Sequence, residues 1–535
     1  MPPQAAASSH GPPPLRLAVI ACLAARAAAA WADDGDADVC HARERCGELG
    51  IFGTNPEGYY WRRRGGGNEL PTGSPSVGPF DLAGGPSWTW PNELDEQVRH
   101  SPLIDDKMDI YIVTATRIRK FSPDGSMKWL WETGPLEGKM TTGATLHQGT
   151  LYALSRTDAD LHVHAIDMES GKVKWARSHD KYVFADGNSL FIYNNTILFP
   201  LRDHWENRPT LLGQDGNNQI AAVSASDGAL LWEWTADDGL WNFMPSTPGD
   251  GTFLISSQCG GVYRLTLAGE LVWRAGRPNP GHFCGTGGGV LGPNGLFYAE
   301  FNDFEANQGV VAAHRVSDGA LVWERPFPGV QGYGGWQYPA VGRIAPRGRL
   351  AVVAPLGGIT APPTFRREPA WVPYWIRTLA FHHLYLKSSW FRRTVLEVPL
   401  LPNAVAALDA ATGETIWWIE EPPWDRVAMA GDEETDVERL ARFERNPSRE
   451  DAICLPDTQG IPLIAGDGTV YASSSHGGNL FSLNDRNGDG ALGPGEVSNF
   501  PAGIGFLNSP SLAPGILVAA PCWGPTYVFR DSSRR

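Results

Sequence analysis

Beyond its first 32 residues the chain lacks any unbroken apolar run of the roughly 18 to 20 residues that a bilayer-crossing helix requires, which excludes an internal helical anchor. It is also short of positive charge. Lysine and arginine number 44 against 59 aspartates and glutamates, a formal charge of −15. Without a concentrated basic face, nucleic acid is not an expected partner. None of the seven cysteines has the close C-x-x-C spacing of a zinc or redox site. What is abundant is glycine (62), proline (43) and tryptophan (21), in 535 residues that are 42% hydrophobic. The tryptophans recur at regular positions, which argues for packing and against disorder. A chain of this length suggests several domains, but a repeat array can close as one large unit, so the repeat decides the count.

Residues 1–32 read as a signal peptide. A short apolar run, Leu17 to Ala25, follows Arg16, and Ala30-Trp31-Ala32 fits the small-x-small rule for cleavage before Asp33. Removing this leader takes away Arg16 and Arg26 and no acidic residue, so the charge falls from −15 to −17. The expected location is secreted, lumenal in the secretory pathway, or periplasmic. Cys22 departs with the leader, and an even six cysteines remain, as disulfides in an oxidising compartment require. Proximity suggests Cys40–Cys46 and Cys259–Cys284, which leaves Cys454–Cys522.

Aligning the chain against itself gives one motif: a short β-rich run, a turn ending in glycine, three residues, then tryptophan. Its copies pair Gly125 with Trp129, Gly171 with Trp175, Gly228 with Trp232, Gly269 with Trp273, Gly319 with Trp323 and Gly413 with Trp417, after a degenerate first copy at Gly84 and Trp88. The motif is a hairpin. Polar residues reverse the chain, glycine supplies the positive φ of the turn, and the tryptophan ring packs from the outgoing strand between neighbouring sheets. Upstream of each copy lies a second strand pair, such as Thr252–Ile255 followed by Gly260–Tyr263. Three or four short strands in roughly 40 to 60 residues describe a propeller blade.

The repeat resembles the quinoprotein type, named for pyrroloquinoline-quinone (PQQ) dehydrogenases and found also in noncatalytic propellers of outer-membrane assembly lipoproteins. The resemblance covers residues 80–530 and leaves 33–79 as an N-terminal extension. It implies an all-β fold, an eight-bladed β-propeller of the quinoprotein alcohol dehydrogenase-like type. The seven Gly-x-x-x-Trp turns agree with that, together with a blade at 464–483 whose turn has been replaced. The last strands, 515–520 and 526–530, have no tryptophan strand after them, and the copy at Trp88 is expected to supply it and clasp the ring shut. For an enzyme the resemblance would also imply an adjacent cysteine pair over the quinone, a central calcium held by acidic and amide side chains, and an aspartate base. No Cys-Cys pair exists, so the sequence does not support PQQ. Trp241, Asn242, Trp336 and Trp523 could line the axis, with blade packing as their plainer role.

The replaced turn carries the strongest motif. Residues 485–496, from Asp485 to Glu496, match the twelve-residue EF-hand loop. Asp485, Asn487 and Asp489 offer side-chain oxygens at positions 1, 3 and 5, Ala491 its carbonyl, and Glu496 both carboxylate oxygens, while Gly490 permits the sharp bend. A Ca2+ ion is the cofactor expected there. A strand-like Asn479–Leu483 enters the loop, and Val497–Phe500 is short for an exit helix, so the loop resembles the EF-hand's but the whole hand is absent.

Other features carry less chemistry. An insert, residues 358–402, is rich in aromatic and basic residues, with apolar positions around the whole helical circumference. It reads as a lid packed on the propeller or as a contact with a partner or a membrane surface. Thr435 and Glu438 stand at capping-box spacing for a short solvated helix. His162 and His164 share a strand face and His382-His383 adjoin, but neither pair has a third ligand. Gly285-Thr286-Gly287-Gly288-Gly289 lacks the lysine of a phosphate loop and reads as a tight inter-blade turn.

Two function classes follow. One is a noncatalytic, calcium-binding scaffold or binding module that takes a protein partner or small ligand on a propeller face. The other is a diverged PQQ-dependent alcohol or sugar dehydrogenase. The missing cysteine pair favours the first, and the fold alone hosts both.

Overall fold

Runs of β-branched and aromatic residues, each closed by a glycine turn, form eight antiparallel sheets in the computed structural model of the chain. The structure describes residues 58–531 apart from 69–71, 94–95, 99, 141, 158–159, 181–188, 202–217, 347, 360–370, 386, 427–428 and 432–457. The leader, Cys40, Cys46, Cys454, and the Thr435/Glu438 pair lie outside the described residues. The sheets are blades spanning 103–132, 139–179, 191–235, 252–276, 289–328, 334–424, 463–501 and 511–530, here numbered 1 to 8. Blade 8 takes its outermost strand, Trp88–Trp90, from the beginning of the chain, with Trp88 opposite Val528. The expected clasp is present, and the eight-bladed propeller is closed without a free end at the join.

Within each blade the strands follow chain order from the axis outward. Turns between first and second and between third and fourth strands therefore lie on one face, called the turn face below. Loops between second and third strands, and the connections to the next blade, lie on the opposite, connection face. The core is a ring of apolar clusters, each bridging neighbouring blades. One joins Leu103 and Tyr111 of blade 1 to Leu151 and Ala153 of blade 2. Another joins Tyr298 of blade 5 to Val352 and Ala406 of blade 6. The cluster at the clasp holds Leu463, Leu517 and Ile104, from blades 7, 8 and 1.

The repeat motif works between blades and not within one. At six blade-to-blade contacts the ring of an outer-strand tryptophan lies on the turn glycine of the following blade. A Cβ on Gly269 (φ 85°) would sit 2.7 Å from Trp232, and one on Gly413 (φ 74°) 2.7 Å from Trp323. Gly125, Gly171, Gly228 and Gly319 meet Trp88, Trp129, Trp175 and Trp273 in the same way. The indole N–H completes the dock by donating to a carbonyl of that turn: Trp88 to Pro123 at 3.0 Å, Trp129 to Met168 at 3.1 Å, Trp232 to Leu267 at 2.8 Å and Trp323 to Ala410 at 3.0 Å. Glycine is needed twice over, for its positive φ and for its bare Cα.

The insert occupies the second-to-third-strand loop of blade 6, between Arg349–Gly357 and Leu401–Asp409, on the connection face. It forms a helix, Tyr374–Ala380, and π-helical turns Phe381–Tyr385 and Phe391–Val395. As a lid it packs at Tyr385 and Arg392, which are buried, whereas Trp371 is 84% exposed.

Replacing Trp232 by Ala should cost about 3–5 kcal/mol of folding stability, as truncation of a docked aromatic does. Gly269→Ala, with an intact tryptophan, should also destabilise, by about 1–3 kcal/mol from the positive φ and the clash. Trp371→Ala should stay within about 0.5 kcal/mol of wild type. Denaturant unfolding of the three variants checks the docking; equal losses for Trp232→Ala and Trp371→Ala would refute it.

Candidate functional site

The calcium-type loop sits where the docking turn of blade 7 would be, between the third and fourth strands Asn479–Leu483 and Val497–Pro501. A strand, and not a helix, leaves it, because Val497 and its successors pair with Asn479–Leu483 in the blade. The loop also takes over the packing of that turn. Leu492 joins the cluster that contains Trp417 of blade 6, and a Cβ on Gly490 would stand 3.0 Å from the Ile416 carbonyl.

Backbone hydrogen bonds arrange its ligand-type side chains. Asp485 accepts from the N–H of Gly488 at 2.8 Å and of Gly490 at 3.1 Å. Glu496 accepts from Gly493 at 2.9 Å and Asn487 at 3.1 Å, which ties the last residue of the loop across to the third. Those same bonds hold the Glu496 carboxyl below its ordinary range, Gly493 contributing most. Asn487 and Asp489 face each other, amide to carboxylate, at 3.0 Å. The positive φ of Gly488 (72°) and Gly490 (81°) turns the backbone inward. Arg486, the one cation of the loop, lies 4.1 Å over the Phe80 ring. The donor set fits a hard cation in number and kind: three carboxylates, one amide and the Ala491 carbonyl. Among the described residues, however, no three His, Cys, Asp or Glu side chains come together as a ready metal cluster.

The axis of the propeller is filled by the chain itself. Trp61 exchanges two backbone hydrogen bonds with Ile104 on the innermost strand of blade 1 (2.9 and 2.8 Å). The Arg62 carbonyl accepts from Leu146 of blade 2, Asn68 donates to the Ile192 carbonyl of blade 3, and the Thr247 N–H of blade 4 donates to the Asn68 carbonyl. Thr72 and Ser74 then bond to Ile464 of blade 7. A segment that reaches the inner strands of blades 1, 2, 3, 4 and 7 must lie on their common axis. It enters from the turn face, where the Tyr59 hydroxyl accepts from Gly149, and turns at Arg63–Gly66. Returning, it offers the Val77 carbonyl to Gly515 of blade 8. Arg62, Arg63 and Arg64 are all buried, and Arg63 donates to the Pro245 carbonyl. The described part of the N-terminal extension, residues 58–68 and 72–77, is thus an axial plug, a role the sequence did not suggest.

Asn242, one of the four expected axial residues, receives Arg64 Nη1 at 3.2 Å and donates to the Thr286 carbonyl at 2.8 Å. Both ends of its amide are committed. Trp241, Trp336 and Trp523 are buried, Trp241 against Phe283 and Trp523 beside Met429 and Cys522. Cys259 and Cys284 form the expected disulfide, which ties a loop of blade 4 to the connection into blade 5. Cys522 is disulfide-bonded as well, and its expected partner Cys454 lies outside the described residues. The histidine pair on blade 2 stays structural: His164 is buried, hydrogen-bonded to Ser155 at 2.7 Å, and pushed by burial down to about 4. His382 is among the side chains not described.

A second buried polar group, also missed in the sequence, lies between blades 6 and 7. Gln459 donates to Glu421 at 2.9 Å, His476 Nδ1 meets the Asn403 amide oxygen at 3.1 Å, and Trp424 stacks on His476 at 5.5 Å. Burial raises the Glu421 carboxyl to about 7, against the pull of bonds from Ser474 and Gln459. The run Ser473-Ser474-Ser475-His476-Gly477-Gly478 was the available signal, since small polar residues and glycines crowded into a loop mark a close polar contact.

Comparison with known proteins agrees with this architecture. A family model described as outer membrane protein assembly factor BamB matches residues 204–349. No curated protein matches the sequence. Among solved structures, BamB from Moraxella catarrhalis is 14% identical, with 84% of this chain and 99% of that one covered and a TM-score of 0.50. The quinohemoprotein alcohol dehydrogenase from Comamonas testosteroni is 11% identical over 95% of this chain and 84% of its own, with a TM-score of 0.55. A europium-containing methanol dehydrogenase is 10% identical over 88% and 90%, with a TM-score of 0.52. What is shared at such identities is the fold.

Because the Glu421 carboxyl is raised from 4.5 to about 7, the folded chain holds a proton there that the unfolded chain releases. Its contribution is complete below pH 4.5 and is lost as pH rises through 7. Glu421→Gln should therefore gain on wild type as pH rises, by about 3 kcal/mol at pH 8 relative to pH 4. Unfolding of both proteins across that range measures it; a constant difference would place no linked proton at Glu421.

Proposed function

We propose that the chain is a noncatalytic, exported scaffold: an eight-bladed propeller that presents its faces to protein partners and whose seventh blade is fixed by one calcium ion. The observation that carries the noncatalytic half is the axial plug. Trp61 to Asn68 occupy the axis, and the cation set against Asn242 is the chain's own Arg64. The residues present do not fit a central quinone: no two cysteines adjoin, and Cys259 bonds to Cys284 across 25 residues of sequence. The likeness to BamB, an assembly factor by its description, supports a role in binding proteins. The leader motif and the disulfides support export. No helix among the described residues is long and apolar enough to cross a membrane.

Calcium is assigned a structural task. In six blades the turn glycine gives the preceding tryptophan ring a bare surface, and blade 7 has no such glycine. Its longer loop must be drawn tight in another way, and an ion held by Asp485, Asn487, Asp489, the Ala491 carbonyl and Glu496 would do it. A single loop between two strands has no paired hand to open, so a sensor role has no mechanical basis.

The ion should bind with a dissociation constant on the order of 0.1–1 mM, as extracellular modules do. At about tenfold excess it should add roughly 1.4 kcal/mol of stability. Glu496→Gln and Asp485→Ala should abolish that increment, and Asp485→Ala should also lower calcium-free stability, because the Gly488 and Gly490 N–H groups lose their acceptor. Calorimetry and thermal unfolding with and without calcium test this. An equal increment in all three proteins would move the ion elsewhere. The scaffold reading predicts no spectral shift and no dye-linked alcohol oxidation after quinone and calcium are added; turnover would reverse it.

A further inference from the structure

We infer that the blade 6 insert is an interfacial anchor that lays the connection face of the propeller on an anionic phospholipid bilayer. The inference is independent of the axial plug and of the calcium loop. Among the described residues, eight of the nineteen exposed large apolar side chains fall between residues 371 and 400. The remainder are scattered over the rim and the loops. Trp371 is 84% exposed, Trp375 and Trp390 67% each, and Leu379 57%. Leaving such side chains in water is unfavourable, and a patch of them marks a contact.

Charge selects the occupant. From Pro369 to Leu396 there is no aspartate or glutamate, while Arg377, Lys387, Arg392 and Arg393 fall in the same stretch of a chain whose net charge is −15. This stretch therefore departs from the acidic character of the molecule and exposes tryptophan as well. Lys387 and Arg393 are exposed beside the apolar side chains. Cations with tryptophan at one level match an interface of anionic headgroups above acyl chains.

Shape favours a fluid surface over a protein groove. A groove takes one stripe of a helix; Trp375, Ile376 and Leu379 supply such a stripe, within about 100° of one another, but Trp371, Leu384 and Trp390 lie outside the helix and carry the exposed apolar surface beyond it. A bilayer accepts such a distribution without a matching contour. The helix Tyr374–Ala380 is far too short to span, so the element lies on the membrane. It is nevertheless pinned in place. Arg392 Nη2 meets Asp425 at 2.8 Å, just past the last strand of blade 6, and its guanidinium also donates to the Tyr385 carbonyl. Tyr385 is buried beneath it. The clip leaves the tryptophans outward and fixes which face of the propeller meets the lipid.

Flotation of the purified chain with vesicles tests this, comparing phosphatidylcholine alone with phosphatidylcholine containing phosphatidylglycerol. The expected result is binding to the mixed vesicles only, weakened by salt, with a blue shift of tryptophan emission. Trp375→Ala with Trp390→Ala should weaken binding by roughly tenfold or more, and Lys387→Ala or Arg393→Ala by roughly fivefold each. All these side chains are exposed, so the thermal midpoint should not move, and every protein compared carries the same N-terminal residues. No binding to anionic vesicles, or equal binding by the tryptophan double variant, would overturn the inference. So would a wild-type dimer that the double variant dissolves without any vesicle binding, which would make a second copy of the chain the occupant.

Discussion

A glycine whose φ lies near +70 to +93° and whose Cα faces an indole ring is the element on which this architecture turns. Blades 1 to 7 are meanders of consecutive strands, but a blade has an apolar side toward each neighbour and cannot stand alone. The tryptophan of one blade and the glycine of the next supply a fixed point between them, with the indole N–H bound to a carbonyl of the same turn. Because the two halves of each dock come from consecutive copies of the repeat, the ring propagates one blade at a time. The strand pairing that closes it is that of Trp88–Trp90 with Thr526–Arg530. Blade 7, where the turn is lengthened, keeps the contact by a different route, through Leu492 against the cluster of Trp417.

The axial plug answers a problem of packing that eight blades create. The innermost strand of each blade is a sheet edge that leaves backbone groups facing the axis, and those groups need partners. The chain supplies them from its own backbone and from the amide of Asn68. The three arginines add donors in a region where inner-strand carbonyls such as that of Pro245 are acceptors. A buried guanidinium is costly unless it is held by several acceptors, so the segment can sit there only in a register that provides them. The same register brings Arg64 to Asn242 and makes the axis a structural place.

Much of the ring was legible in the sequence because its signal is local and periodic. Gly413 and Trp417 stand four residues apart in every sense that a sequence can show. What the spacing hid is that the two residues do not touch: Gly413 meets Trp323, ninety residues earlier. The clasp could be read by counting, since one tryptophan strand was left over at Trp88 and one was missing after Thr526–Arg530. The plug could not. Arg62-Arg63-Arg64 followed by three glycines has the composition of a solvated, flexible leader, and its burial depends on backbone groups of separate blades, among them the Leu146 N–H and the Ile192 and Pro245 carbonyls. The polar group around Glu421 left only the Ser473–Gly478 run as a trace, as Asn403, Glu421, Gln459 and His476 are joined only when blades 6 and 7 meet. The EF-hand-type pattern of 485–496 stands in the sequence residue by residue, whereas the strand that follows it at Val497 was settled by pairing within blade 7.

The plug and the clasp belong to one stretch of sequence, since residues 59–68 and 72–77 lie along the axis and the chain then crosses to the rim to form Trp88–Trp90. Translation therefore delivers the innermost and the outermost pieces of the ring first, and both wait for the last blade, whose final strand begins at Thr526. The ring is completed around a thread already made. A protease that cut between residues 78 and 87 would release nothing, because the severed peptide would stay gripped on the axis by five blades. Covalent continuity and physical retention are separate properties in this molecule.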